Sequence, residues 1–276
     1  KEPYVSNNKY INEDTYQTLH EVNIEVQSDY EKAVEPLWKE KTEQYKKFEI
    51  FVATPVHSEV SIHYTQALIE FQQECFKQKL KVSFHLIKSS LVTQGRNLSV
   101  AGFLESKATH LLFIHIISVP YPLKTLMWDK AFEKMKQGLI KSADDIRRAL
   151  HTYPMKVPDA TNIKVNKGVI EVTDSPTGCM LIKREVIEKM IEKYPDKKIV
   201  QKTVINGEYV DKPNMWNFFD TLHDPKEKTY NGEDFAFCKL WRDLGGKCYA
   251  YINDSIVHVG EHQYQGKFHD ELISTK

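Results

Sequence analysis

The 276-residue chain reads as an α/β protein built on a mixed, mostly parallel sheet flanked by helices, with an N-terminal helical extension. Two observations predict this. Between Phe48 and Ile116, short apolar runs alternate with amphipathic stretches in the order strand, helix, strand, helix, strand, which is the pattern of a doubly wound sheet. The first strand ends at Thr54-Pro55, and the second is followed by the polar stretch Ser89–Asn97. Both turns therefore fall at the carboxyl ends of strands, where open α/β sheets bind ligands.

Each element follows from its pattern. Residues 1–46 are polar and helix-prone, and Tyr30, Val34, Leu37 and Tyr45 fall near one face, as in a helix packed against the main body. They form the expected extension, and residues 47–276 the main domain. Phe48–Pro55 is a buried strand. His63–Gln78 is a helix with Ala67, Leu68, Phe71 and Cys75 on one face. Lys81–Ile87 is the second strand, Leu98–Ser106 the second helix and Leu111–Ile116 the third strand. Val169–Val172 and Gly178–Lys183 are later strands, with a helix over Arg184–Lys193. Glu233–Leu244 is a helix stopped by Gly245-Gly246. Lys247–Asn253 and Ser255–Val259 are the last strands before a polar tail.

Composition sets the class. Lys+Arg and Asp+Glu balance at 38 each, so no global basic field points to nucleic acid or membranes. With 28% charged and 41% hydrophobic residues the chain is ordinary for a soluble protein, and no apolar run approaches a membrane span. From the polar start KEPYVSNNKY no secretory leader is expected. Cys75, Cys179, Cys238 and Cys248 are dispersed without a Cys-x-x-Cys pair, which argues against zinc ribbons and redox dithiols. The expected setting is reducing and cytoplasmic.

One stretch does not fit. Leu111–Leu123 reads LLFIHIISVPYPL, nearly all apolar, with no turn residue before its prolines. Two neighbouring parallel strands need a crossover of about a dozen residues, and none is present. We therefore expect a segment to be missing between Ile116 and Ile117; the alternative is one continuous strand.

Several motifs occur in a fixed order. They are Thr54-Pro55, Gln94-x-Arg96-Asn97, Ala108–Ile114, Pro120-Tyr-Pro-x-Lys124, Thr177-Gly178-x-Met180, Gly232-Glu233-Asp234, Gly245-Gly246 and His258-Val-Gly260. Over about residues 48–270 this set resembles the GT-A-fold (Rossmann-like) glycosyltransferases common in phages and other large DNA viruses. The resemblance implies a metal-dependent transfer of a sugar from a nucleotide-sugar, such as a UDP- or GDP-sugar, to a hydroxyl. The acceptor would lie on a glycan, a protein or a modified DNA base. For a viral chain the compartment would be the host cytoplasm.

In that family the third strand runs into an Asp-x-Asp motif that binds the metal. Here it does not, so the motif is expected in the segment absent after Ile116. A nucleotide-diphosphate leaving group concentrates negative charge, which Mn²⁺ or Mg²⁺ offsets through oxygen ligands. By resemblance His258 is the other metal ligand, and an imidazole suits Mn²⁺ better. A structural histidine at a strand end is the plain alternative. Asp234 is the expected general base and Glu233 its partner in binding sugar, as in inverting galactosyltransferases, while acids opening a helix are otherwise just dipole partners.

Arg96 and Asn97 would bind donor phosphate, or else pair with a surface acid and cap a helix. Thr54, Pro55 and His57 would line the base pocket and Lys124 would cover the donor. Thr177, Gly178 and Trp128 are expected near the acceptor, although Thr177-Gly178 also suits a simple strand-entry turn and Trp128 suits a core equally well. Two other functions stay open. One is a metal-free or degenerate nucleotide-sugar-binding module. The other is a nucleotidyltransferase, although Thr54–Glu59 is not the Gly-rich phosphate loop such enzymes usually carry.

Overall fold

The computed structural model describes residues 47–114, 120–205, 208–225, 228–254 and 256–259. The expected N-terminal helix, the Ile116–Ile117 join, Gly260 and the polar tail lie outside the described residues.

The first half follows the predicted alternation. Strand β1 (Glu49–Val56), helix α1 (Ile62–Lys77), β2 (Lys81–Lys88), α2 (Val92–Glu105) and β3 (His110–Ile114) form two successive crossover units. After them come α3 (Trp128–Lys136), α4 (Ala143–Leu150), β4 (Val169–Val172), β5 (Cys179–Lys183) and α5 (Arg184–Lys193). A short 3₁₀ turn, Pro195–Lys197, leads to β6 (Lys198–Ile205), β7 (Glu208–Trp216), β8 (Leu222–Asp224) and β9 (Thr229–Asn231). Helix α6 (Glu233–Asp243) and β10 (Cys248–Tyr251) end the described elements.

The main sheet has four strands in the order β2-β1-β3-β5. β1 runs parallel to both β2 and β3, and β5 is antiparallel to β3. The remaining strands form three separate pairs, β4–β10, β6–β7 and β8–β9. The architecture is thus mixed α/β, with a partly parallel sheet flanked by helices. Phe51 to Thr54 are four consecutive buried residues, as expected of a central strand covered on both faces. β2, at the sheet edge, is only partly covered.

The core joins Phe51, Ala53, Leu111 and Phe113 of the sheet to Val100 and Phe103 of α2, and to Phe218, Phe219 and Phe237. Burying such a side chain contributes about 1.5–3 kcal/mol. All four cysteines are free thiols, with Cys75 and Cys238 buried.

Four sequence expectations change. Helix α2 begins at Val92, not at Leu98, so Gln94-Gly95-Arg96-Asn97 lies inside it rather than forming a turn before it. Gly95 makes this possible, because a Cβ there would sit 2.9 Å from the Pro55 Cβ. The missing side chain lets the helix lie directly on the end of β1. Residues 120–127 contain no strand, so among the described residues the second parallel strand that called for a crossover is not found. Residues 256–259, expected in a last strand, are also outside any strand. Finally, Ala67 is exposed on α1 while Leu68 and Phe71 are half-buried, so that helix packs more loosely than its pattern suggests. The α6 stop is as expected: Gly245 has φ +78°, a conformation that favours glycine, and donates to the Arg242 carbonyl at 2.8 Å.

Candidate functional site

Because β1, β2 and β3 are parallel, Val56, Lys88 and Ile114 end at one edge of the sheet. Strand order reverses at β1: the chain passes from β1 to β2 on one side and then to β3 on the other. In open α/β sheets such a reversal is where outgoing connections diverge and ligands bind. The antiparallel β5 starts at the same edge, where Cys179 pairs with Ile114. Thr177-Gly178, the turn entering β5, therefore reaches it as well.

Arg96 projects from α2 and forms an ion pair through its Nη1 with Glu233 Oε1 at the start of α6. Their side chains are 14% and 19% exposed, so the pair is largely shielded from water. Burial lowers the Arg96 pKa from its ordinary value, and the negative charge of Glu233 partly restores it. Beneath the guanidinium, 6.0 Å from its carbon, lies the Phe219 ring. That ring stacks on Phe237 at 4.4 Å and meets Phe113 of β3 edge-on at 5.2 Å.

Asn97 holds this floor in place. Its Oδ1 accepts from the Phe219 N–H at 3.0 Å, and its Nδ2 donates to the Phe219 carbonyl at 3.2 Å and to Asn217 Oδ1 at 2.9 Å. Asn97 is 2% exposed. Its amide is thus taken up by protein partners, and it positions Phe219 under Arg96.

Asp234 lies in the first turn of α6, whose Gly232 N-cap offers no side-chain bond. Its Oδ1 accepts from the Phe235 N–H at 2.8 Å, so the carboxylate does serve the helix end. Burial nonetheless raises its pKa, with the neighbouring Glu233 adding to the rise, while the Phe235 N–H and Arg96 oppose it. Tyr121 belongs to the same group: its hydroxyl is raised by burial and then by the charge of Asp234.

Tyr121 also links the group to His258. The two rings meet edge-on, 4.9 Å apart, and His258 Nδ1 lies 2.8 Å from the Pro122 carbonyl oxygen. A carbonyl oxygen can only accept, so Nδ1 donates, and in the neutral ring the lone pair is on Nε2. That is the tautomer of a histidine prepared to ligate a metal through Nε2. The rest of a metal site is not found: no group of three His, Cys, Asp or Glu side chains suited to an ion occurs among the described residues. Glu233 is paired with Arg96, and residues 115–119 contain no carboxylate. The described residues alone therefore do not fit Mn²⁺ or Mg²⁺.

The other predicted residues divide. Thr54 is buried, with its Oγ1 2.5 Å from the Tyr64 hydroxyl, and Pro55 packs on Gly95. His57 is exposed just beyond β1. Thr177 is 2% exposed and its Oγ1 has no hydrogen-bond partner among the described residues, an uncompensated polar atom at the sheet edge. Lys124 and Trp128 are exposed, and Trp128 opens α3 rather than joining a core. Tyr121 and Phe219 had no role assigned from sequence. Tyr121 stood inside the Pro-Tyr-Pro motif, which was a usable signal, whereas nothing local marks Phe219. An open depression of about 430 Å³ is lined by residues of β4 and β10, such as Glu171 and Tyr249, and no residue of the candidate site borders it.

The chain matches no known protein family, no curated protein and no solved structure.

Proposed function

We propose that the chain is a GT-A glycosyltransferase that moves a sugar from a nucleotide-sugar to a hydroxyl, with Asp234 as general base. The observation that carries the reading is convergence. Arg96, Tyr121, Glu233 and Asp234 come from three distant parts of the sequence and meet by the carboxyl edge of the sheet, with His258 against Tyr121. In the reaction the Asp234 carboxylate takes the acceptor's hydroxyl proton as the acceptor oxygen bonds to the anomeric carbon. The bond from that carbon to the nucleotide diphosphate breaks on the opposite side, and configuration inverts. A raised carboxylate pKa makes a stronger base. Arg96 would bind the departing diphosphate, oriented by its bond to Glu233.

A divalent ion, Mn²⁺ before Mg²⁺, belongs to this proposal only if ligands beyond the described residues join His258, and chelation tests the need for it. UDP- and GDP-sugars are the proposed donors, and a glycan, protein or modified base in a cytoplasmic setting the proposed acceptor.

The decisive test is a panel of nucleotide-sugars assayed for hydrolysis and transfer, with Mn²⁺ and with EDTA. Turnover that EDTA abolishes is expected. Turnover indifferent to chelation removes the metal, and donor binding without turnover leaves a binding module. Asp234→Asn should abolish transfer while donor binding is retained; a parallel loss of donor binding would displace Asp234 as base.

A further inference from the structure

We propose that the α3–α4 hairpin is a docking surface for an anionic membrane. The two helices form a unit with a small core of their own, Ala131, Ala149 and Leu150 packed with Ile140 and Ile146. Its ends are tied together by backbone hydrogen bonds, Met127 N–H to the Leu150 carbonyl at 2.9 Å and Leu123 N–H to the Thr152 carbonyl at 2.8 Å. Ala131 turns the buried side of α3 toward α4. Beside it Trp128, Phe132 and Met135 recur at intervals of four and three residues, which places them on one stripe of α3, and Leu139 follows just past the helix end. This stripe is not core. Trp128 is 61% exposed, Phe132 56% and Met135 46%, and Leu126, Met127 and Leu139, which flank the helix, are exposed as well. Scattered exposed apolar residues need no explanation, but a contiguous patch of large ones marks an interaction surface.

Charge selects the occupant. Between Leu123 and His151 there are seven basic side chains against four acidic ones, in a chain that is neutral overall. The acids are largely answered within the unit: Asp144 pairs with Arg147, Asp145 with Arg148 and Glu133 with Lys136. Lys124, Lys134 and Lys141 are exposed and enter no ion pair among the described residues. Lys136 lies over the Phe132 ring at 4.5 Å, its ammonium at the border of the stripe. An exposed apolar stripe containing Trp, in a unit with a surplus of basic side chains, is the composition that seats a helix in the headgroup layer of an anionic bilayer. A second copy of this chain would bring the same lysines face to face, and like charges oppose that. No helix among the described residues is long and apolar enough to cross a membrane, so the contact is with the surface.

The inference does not rest on glycosyl transfer and is read by binding alone. The full chain is floated with vesicles of phosphatidylcholine and with vesicles containing about 30% phosphatidylserine, an anionic lipid. Binding to the second and not the first is expected, with loss of binding at high salt. Phe132→Ser and Leu139→Ser change exposed side chains, so the fold, checked by circular dichroism, should survive. Each should weaken binding about tenfold. Lys134→Glu or Lys141→Glu should weaken it about fivefold or more. Absence of binding, or binding indifferent to Phe132→Ser and Leu139→Ser, overturns the proposal. Self-association in sedimentation that those two substitutions abolish overturns it in favour of a second copy.

Discussion

Helix α2 meets two arginines, and their surroundings differ. Arg184, at the start of α5, donates from Nε to the Ala108 carbonyl at 2.7 Å and from Nη2 to Phe103 and Ser106 carbonyls at 2.7 and 3.0 Å. Its guanidinium also lies 4.3 Å from the centre of the Phe103 ring. It closes the carboxyl end of α2, where carbonyls lack helical partners. Arg96, near the other end, has one hydrogen bond among the described residues, to a carboxylate, with aromatic rings below it. A guanidinium carries five N–H donors. At Arg184 most are directed at fixed backbone oxygens, whereas at Arg96 most are left over beside the sheet edge. The first arrangement stabilises the fold and the second retains capacity for an anionic ligand.

Substitutions can break this contrast, and the largest effect belongs to the structural arginine. Arg184→Ala should lower stability by about 3 kcal/mol, since it removes several charge-assisted bonds to carbonyls that are only partly rehydrated. Urea unfolding measures it, and lysine should rescue little because a point charge cannot span three carbonyls. A loss below 1 kcal/mol, to order of magnitude, would mean that water replaces the cap.

Arg96→Met should cost less, about 2 kcal/mol, mainly by stranding Glu233 without its partner. Adding Glu233→Leu should recover much of this, and the double-mutant cycle isolates the pair. If Arg96→Met weakens donor binding no more than Arg184→Ala does, the contrast between the two arginines collapses.

Smaller still is Thr177→Val, which swaps the unpartnered hydroxyl for a methyl of similar size. Stability should rise by about 1 kcal/mol. If ligand binding also falls, the hydroxyl has a partner in the complex, and an unchanged affinity assigns it none.

The smallest effect concerns Asp234. Burial raises its pKa in the folded state, so ionising it costs native stability as pH rises through that pKa. Below the unfolded-state value of about 3.9 the carboxyl is protonated in both states and the cost vanishes. Asp234→Asn should therefore be slightly more stable than the parent at pH 7, with the gap closing in acid. Thermal unfolding across that range measures it. A variant less stable at pH 7 would show that the helix-capping role of the carboxylate outweighs its burial.

Much of the fold was legible because it is written in local pattern. The run Phe51–Thr54 is apolar enough to lie at the centre of a sheet, and the alternation around it dictates parallel crossovers. The start of α2 was misread because Gly95 normally argues for a turn. Only its neighbour Pro55, forty residues earlier in the chain, explains why a glycine sits inside the helix. The short pairs β6–β7 and β8–β9 carried no assignment, since weak alternation on partly exposed strands gives little periodic signal. Glu233 and Asp234 were identifiable from Gly-Glu-Asp at a helix start. The bond from Arg96 to Glu233, across 137 residues, was not.

By itself, then, the sequence determined the α/β class and the edge of the sheet at which polar residues gather. These are properties of residue type and short-range spacing. Tertiary structure alone decided that Arg96 belongs with Glu233, that Asn97 holds Phe219 rather than a ligand, and that Trp128 faces outward. Each of those depends on which side chain approaches another in space, and local periodicity carries no information about distance between segments far apart in the chain.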